Sequence, residues 1–117
     1  MLLQRRDTML MLAAGGLAAL LPRTSRAAAT TIEGLRRSGE IAIGCEATYP
    51  PFSFRRGMDI TGYDVEVATR VFKPIGVVPR FVDTEWAGVI PSLYAGRFDL
   101  IMSSLSYTKE RMQKVAY

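Results

Sequence analysis

Between residues 103 and 111 the chain reads SSLSYTKER, so Ser103, Ser104, Ser106 and Thr108 stand within six residues and Arg111 follows them. Thr108 is placed to cap a short helix, and a loop this rich in hydroxyls leaves backbone N–H and C=O groups free to face a ligand. The planar guanidinium of Arg111 matches a carboxylate with two parallel hydrogen bonds, and an anion held there would also feel the helix N-terminus. Tyr49, Phe52 and Trp86 offer flat apolar surface, and Glu46 offers a negative charge. Aromatic walls with a few convergent polar groups describe a pocket for a small molecule. Plainer roles are open to every one of these residues. Ser/Thr clusters make turns and caps, Phe52 and Trp86 suit a core, and Tyr49 can pack on the prolines that follow it. Arg111 next to Glu110 suits a solvated surface pair, and Glu46 suits an idle surface charge.

The inventory removes whole classes of chemistry. With no His and a single Cys, an intrachain disulfide, a Cys/His zinc site and a His-based catalytic triad are all excluded, and neither metal nor cofactor is expected. The stretch AIGC at 42–45 superficially matches a lipoprotein cleavage box. It lies over twenty residues past the apolar run near the start, inside an expected strand, so Cys45 reads as a structural residue.

Residues 1–29, MLLQRRDTMLMLAAGGLAALLPRTSRAAA, have a charged start, an apolar run from Met9 to Leu21, and a close in small residues. That is the layout of a secretory signal, and the run of about 13 residues is shorter than a membrane-spanning helix requires. Arg5-Arg6 leans towards the twin-arginine type, although Thr8 stands where that signal usually has a bulky apolar residue. The same segment holds Arg5, Arg6, Arg23 and Arg26 against Asp7, leaving 11 basic and 10 acidic residues for the rest. The high pI therefore belongs to the export signal, and no basic patch points to nucleic acid.

The elements that must carry the candidate residues follow from period and punctuation. TIEGLRRSG, with Thr30 and Glu33 at capping-box spacing and Gly39 as a stop, predicts a short helix. EIAIGC predicts a buried strand, and Pro50-Pro51, Gly57 and Gly62 mark turns around a hairpin-like excursion. From Tyr63 a helical period places Val65, Ala68, Val71, Phe72 and Ile75 on one face, with Pro74 ending the helix near Phe72. VVPRFVD predicts a strand near a sheet edge because of Pro79. WAGVIPSLYAGR predicts a helix bent at Pro91, FDLIMSS a strand buried on both faces, and TKERMQK a last helical turn. Strand, helix, strand, helix, strand means an α/β domain with a parallel sheet and flanking helices. Ligands of such sheets bind beyond the carboxyl ends of the strands, which is where EATYPPF, DTEW and SSLSYTKER all fall.

The stretches IGCEATYPPFSF, ITGYDVEVATRV and WAGVIPSLYAGRFDLIMSSLSYTKERMQKVAY, taken together, resemble the family-3 periplasmic solute-binding proteins of amino-acid ABC transporters. The likeness runs from about Ile41 to Tyr117, and the SSLS form is nearest to the lysine/arginine/ornithine and histidine binders. The resemblance implies a type II periplasmic-binding-protein lobe, here incomplete. Residues 30–117 would be the N-terminal part of lobe 1, with the second lobe absent. It implies that Arg111 and the Ser106 N–H hold an α-carboxylate. The Ser106 hydroxyl and the Ser104 carbonyl would accept from the α-ammonium. Tyr49 and Trp86 would sandwich the side chain, with Ser103 near its end and Glu46 facing a cationic tip. Glu46 stands where the basic-amino-acid binders usually have Asp, which leaves an amide or a shorter cation open. The expected protein is a monomeric periplasmic component that passes a free amino acid to its ABC permease and catalyses nothing. Two other readings rest on the same fold, a periplasmic dehydratase-like enzyme with Glu46 as its acid and the ectodomain of a sensor. A lone lobe is expected to bind its ligand at millimolar strength or not at all, because its ion pairs stay in water.

Overall fold

A computed structural model describes residues 31–117. The export signal read at 1–29 lies outside the described residues. The first element is helix α1 (Ile32–Ser38), capped not at Thr30 but at Thr31, whose Oγ1 accepts from Gly34 N at 3.0 Å. Extended backbone at Thr31 presents its hydroxyl to the free amides of the first turn, which is what selects the cap. Gly39, left-handed at φ 73°, closes the helix.

Strand β1 (Glu40–Cys45) is the centre of a three-stranded parallel sheet. On one side it pairs with β5 (Val78–Asp83), Ile43 opposite Phe81, and on the other with β6 (Leu100–Ile101), Ile43 opposite Leu100. Its two faces are both covered. Ile41 and Ile43 pack with Ala68, Val77, Phe72 and Phe81, while Ala42 packs with Val89 and Phe98. This double burial is why β1 reads as unbroken apolar sequence. Gly44 is required on the second face, since a Cβ there would lie 2.4 Å from the Phe98 ring.

Helix α2 (Tyr63–Phe72) covers one face and α3 (Val89–Tyr94) the other. In α2 the buried positions are Asp64 and Ala68, one turn apart, and Phe72 continues their row. Val71, expected on that face, is 59% exposed; it lies about 60° round the helix from Ala68, on the rim of the face. A 3-10 turn at Lys73–Ile75 and left-handed Gly76 end the helix where Pro74 predicted.

Three further expectations change. The helix over 86–97 is a 3-10 turn, Trp86–Gly88, leading into α3, and Pro91 sits in the first turn of α3, where its missing N–H costs nothing. The strand over 98–104 shrinks to two residues, with Leu100 38% exposed. The reason is position: among the described residues β6 pairs with β1 alone, which leaves its far side uncovered. Between β1 and α2 the excursion is an antiparallel meander of three strands, β2 (Thr48–Tyr49), β3 (Ser53–Arg56) and β4 (Asp59–Thr61). Residues 109–112 form the short α4 (Lys109–Met112).

Candidate functional site

The three loops that leave β1, β5 and β6 emerge at the same end of the sheet, as parallel pairing requires. The loop after β6 folds on itself. Thr108 caps α4, its Oγ1 accepting from Arg111 N at 3.1 Å. The Arg111 side chain turns back to donate from Nη1 to the Ser106 carbonyl at 2.9 Å. The same guanidinium lies over the Trp86 ring, 5.2 Å from its centroid, a cation–π arrangement. Arg111, Ser106 and Trp86 are thus one cluster drawn from two loops. Glu110 is not its partner. That carboxylate pairs with Lys114 at 2.9 Å, which is the largest cause holding it below the usual carboxylate range. Among the described residues no carboxylate lies within ion-pair distance of Arg111.

The other predicted residues sort themselves differently. Trp86 is 38% exposed, so it is not a core residue. Tyr49 is exposed and stacks on Phe52 with centroids 5.2 Å apart, and Phe52 meets Tyr63 edge-on. Among the described residues the Tyr49 and Trp86 rings make no contact with one another. Ser103 is buried, and its Oγ accepts from Glu46 N at 2.9 Å, fastening the loop after β1 to the end of β6. Ser104 adopts φ 49°, a left-handed conformation unusual for a residue with a side chain, and its hydroxyl faces both oxygens of Asp64 at 3.4 and 3.5 Å. The Ser106 carbonyl, to which the sequence assigned nothing, also accepts from the Tyr117 hydroxyl at 3.1 Å.

Two carboxylates were missed. Asp64 is buried and accepts from Ser53 Oγ at 2.9 Å. Asp83, at the end of β5, accepts from Ala47 N at 3.0 Å and from Arg55 Nη2 at 2.8 Å. The Ala47 amide is the largest cause holding its carboxyl below the ordinary range; burial, next in size, opposes it, and Arg55 and the Thr84 amide add to the lowering. A signal for Asp64 was present, since a carboxylate at an apolar helix position demands a partner. Cys45 lies nearby, buried at the end of β1, and burial with the Asp83 and Asp64 charges pushes its thiol up to about 11. Such a thiol is protonated and inert at neutral pH.

A groove of about 700 Å³ runs along β6, lined by Tyr94, Leu100, Met102, Val115 and Tyr117 among others, and it meets the candidate residues at Ser103 and Ser104. It is mostly apolar and touches neither Trp86 nor Arg111, so the cluster of polar and aromatic groups, not this groove, marks the candidate site.

Known proteins share this pattern. Residues 41–117 match the family described as bacterial extracellular solute-binding proteins, family 3. The L-cystine-binding protein TcyJ of Escherichia coli K12 is 37% identical over 82 residues, 68% of this chain and 30% of TcyJ. The histidine-binding periplasmic protein of Salmonella typhimurium LT2 is 38% identical over 79 residues, 67% of this chain and 30% of that protein. The chain therefore spans about 30% of the length of these relatives. Among solved structures, the arginine-bound form of domain 1 from TmArgBP superposes with a TM-score of 0.66 at 35% identity, covering 70% of this chain and 66% of that one. The ancestral cationic amino acid solute-binding protein AncCDT-1 gives 0.68 at 38% identity, covering 73% and 38%. With the family pattern running through β1, the meander and all three loops, the chain belongs to family 3 of the bacterial extracellular solute-binding proteins.

Proposed function

We propose that the chain supplies one wall of an amino-acid site in an extracytoplasmic binding component of an ABC importer. Arg111 is its carboxylate grip. The observation that carries this reading is the pose of Arg111, whose guanidinium is propped between the Trp86 ring and the Ser106 carbonyl with no ion-pair partner among the described residues. One N–H is spent on the carbonyl, and the rest of the fork is available to a planar anion. Relatives named for histidine and cystine, and an arginine-bound domain, support an amino acid as the ligand.

In this reading residues 1–29 direct export to the periplasm and 30–117 begin lobe 1. Glu46 faces the ligand side chain, Tyr49 and Trp86 flank it, and the Ser104 carbonyl and Ser106 hydroxyl take the ammonium. Ser103 acts from behind, through the Glu46 amide that it holds. The protein works as a monomer, delivers the ligand to its permease and catalyses nothing. Calorimetric titration of the full protein with L-arginine, L-lysine, L-histidine, L-glutamine and L-cystine tests this. One of them should bind at micromolar strength, and Arg111→Met should remove that binding. Retention of affinity in Arg111→Met would discard the assignment.

One observation favours a second reading. AncCDT-1, itself described as an ancestral amino acid-binding protein, is also described as a precursor of cyclohexadienyl dehydratase. Release of water and carbon dioxide from a prephenate-like acid, lost in Glu46→Gln, would move the chain to that class.

A further inference from the structure

The loop leaving β1 carries Glu46 and Tyr49, yet its first amides have no sheet partner to hold them. Side chains from two other elements do it instead. Glu46 N donates to Ser103 Oγ from beyond β6, and the next amide, Ala47 N, donates to Asp83 Oδ1 at the end of β5. The second oxygen of Asp83 accepts from Arg55 Nε at 3.1 Å and Nη2 at 2.8 Å. Arg55 stands in β3, the middle strand of the meander. One carboxylate therefore fastens both the entry to the meander and its central strand. Between those two anchors lie Tyr49 and Phe52, stacked on each other. Asp83 is also three residues from Trp86, so the same side chain that orients the Tyr49 wall sits at the root of the Trp86 wall.

We propose that Asp83 is the positioning residue of this site, setting the Tyr49 loop against the Trp86 loop without itself touching the ligand. The role in binding rests on the amino-acid reading above, whereas the role in holding the loop does not. Loss of a carboxylate that bonds a backbone amide exposes that amide to solvent locally, which residue-resolved hydrogen exchange reads without any ligand. In the full chain, Asp83→Ala should speed exchange at Ala47 and across 53–56 by about tenfold while β1 and β5 keep their protection. Asp83→Asn retains an acceptor oxygen for Ala47 N and should restore protection at Ala47 but not at 53–56. Arg55→Met, a change at a half-exposed pair that leaves the Ala47 bond intact, should likewise keep protection at Ala47 and lose it at 53–56, and it serves if Asp83→Ala does not fold.

L-arginine, titrated into the same variants, should bind Asp83→Ala about tenfold more weakly and Asp83→Asn nearly as the parent. Unchanged exchange at 46–56 in Asp83→Ala overturns the proposal. So does a uniform rise through β1 and β5, or an Asp83→Asn variant as loose as Asp83→Ala. If the parent protein binds none of the tested amino acids, the amino-acid reading fails, and the exchange pattern still decides whether Asp83 holds the loop.

Discussion

The loops after β1 and β6 both carry candidate ligand groups, yet they are held in opposite ways. The first is fastened from outside, by Ser103, Asp83 and, through Asp83, Arg55. The second is fastened mainly from within, by the Thr108 cap and by Arg111 and Tyr117 both donating to the Ser106 carbonyl. Its contacts outwards are the Ser103–Glu46 bond that it shares with the first loop, at its very start, the Arg111–Trp86 stack and the long Ser104–Asp64 approach. Bonds to distant strands of a packed sheet pin a loop to the core, so its groups arrive preset. Bonds inside a loop give it a shape but leave that shape free to move as a unit. For the binding role proposed above, the first arrangement suits a wall and the second suits a grip.

The difference can be broken from either side. Arg111→Met should have the largest effect, weakening amino-acid binding by about 2–5 kcal/mol in calorimetry with little change in Tm, because a half-exposed arginine holds little of the fold. Ser103→Ala should cost about 1–3 kcal/mol of stability in chemical denaturation, since it strands the Glu46 amide behind a buried side chain. Its effect should appear in the first loop. Thr108→Ala removes only a cap and should cost about 1 kcal/mol at most. Here the loss should stay local, read as faster amide exchange at Arg111 with the sheet unaltered.

Acid separates the two loops more gently. Asp83 has a depressed carboxyl in the folded chain, so the stability it lends is present above its unfolded value, near 3.8, and drains as pH falls below that through the folded one. Its side chain is one-third exposed, so the pair with Arg55 is worth no more than about 1 kcal/mol. Below pH 4 the Ala47 amide should therefore lose protection before any amide of β5 does, and Arg55→Met should shrink the difference. Equal loss in both would mean the loop is not separately held.

Much of this was legible in the residues. The central strand, the end of α2 near Phe72 and the capping of α4 by Thr108 are all local matters, decided by period, by Pro and Gly, and by a hydroxyl three residues before the amide it serves. The family pattern also placed the loops. What the sequence misjudged was burial that depends on a neighbour. FDLIMSS looks like an interior strand, but whether it is interior turns on what pairs with its far side. Val71 looked like core because the helical period groups it with Ala68 and Phe72, yet the row through Asp64, Ala68 and Phe72 is the one that meets the sheet.

The site divides along the same line. Residue types and spacing alone determined that Arg111 sits on a capped turn after a hydroxyl-rich loop, and that the loop ends a strand of a parallel sheet. Only the tertiary structure decided that Arg111 lies over Trp86, that the Ser103 hydroxyl braces Glu46, and that Asp83 joins Ala47 to Arg55. The first set rests on bonds that close within four residues, which a sequence displays directly. The second joins residues 25 to 57 positions apart, and only the packing of the sheet brings such groups within hydrogen-bond reach.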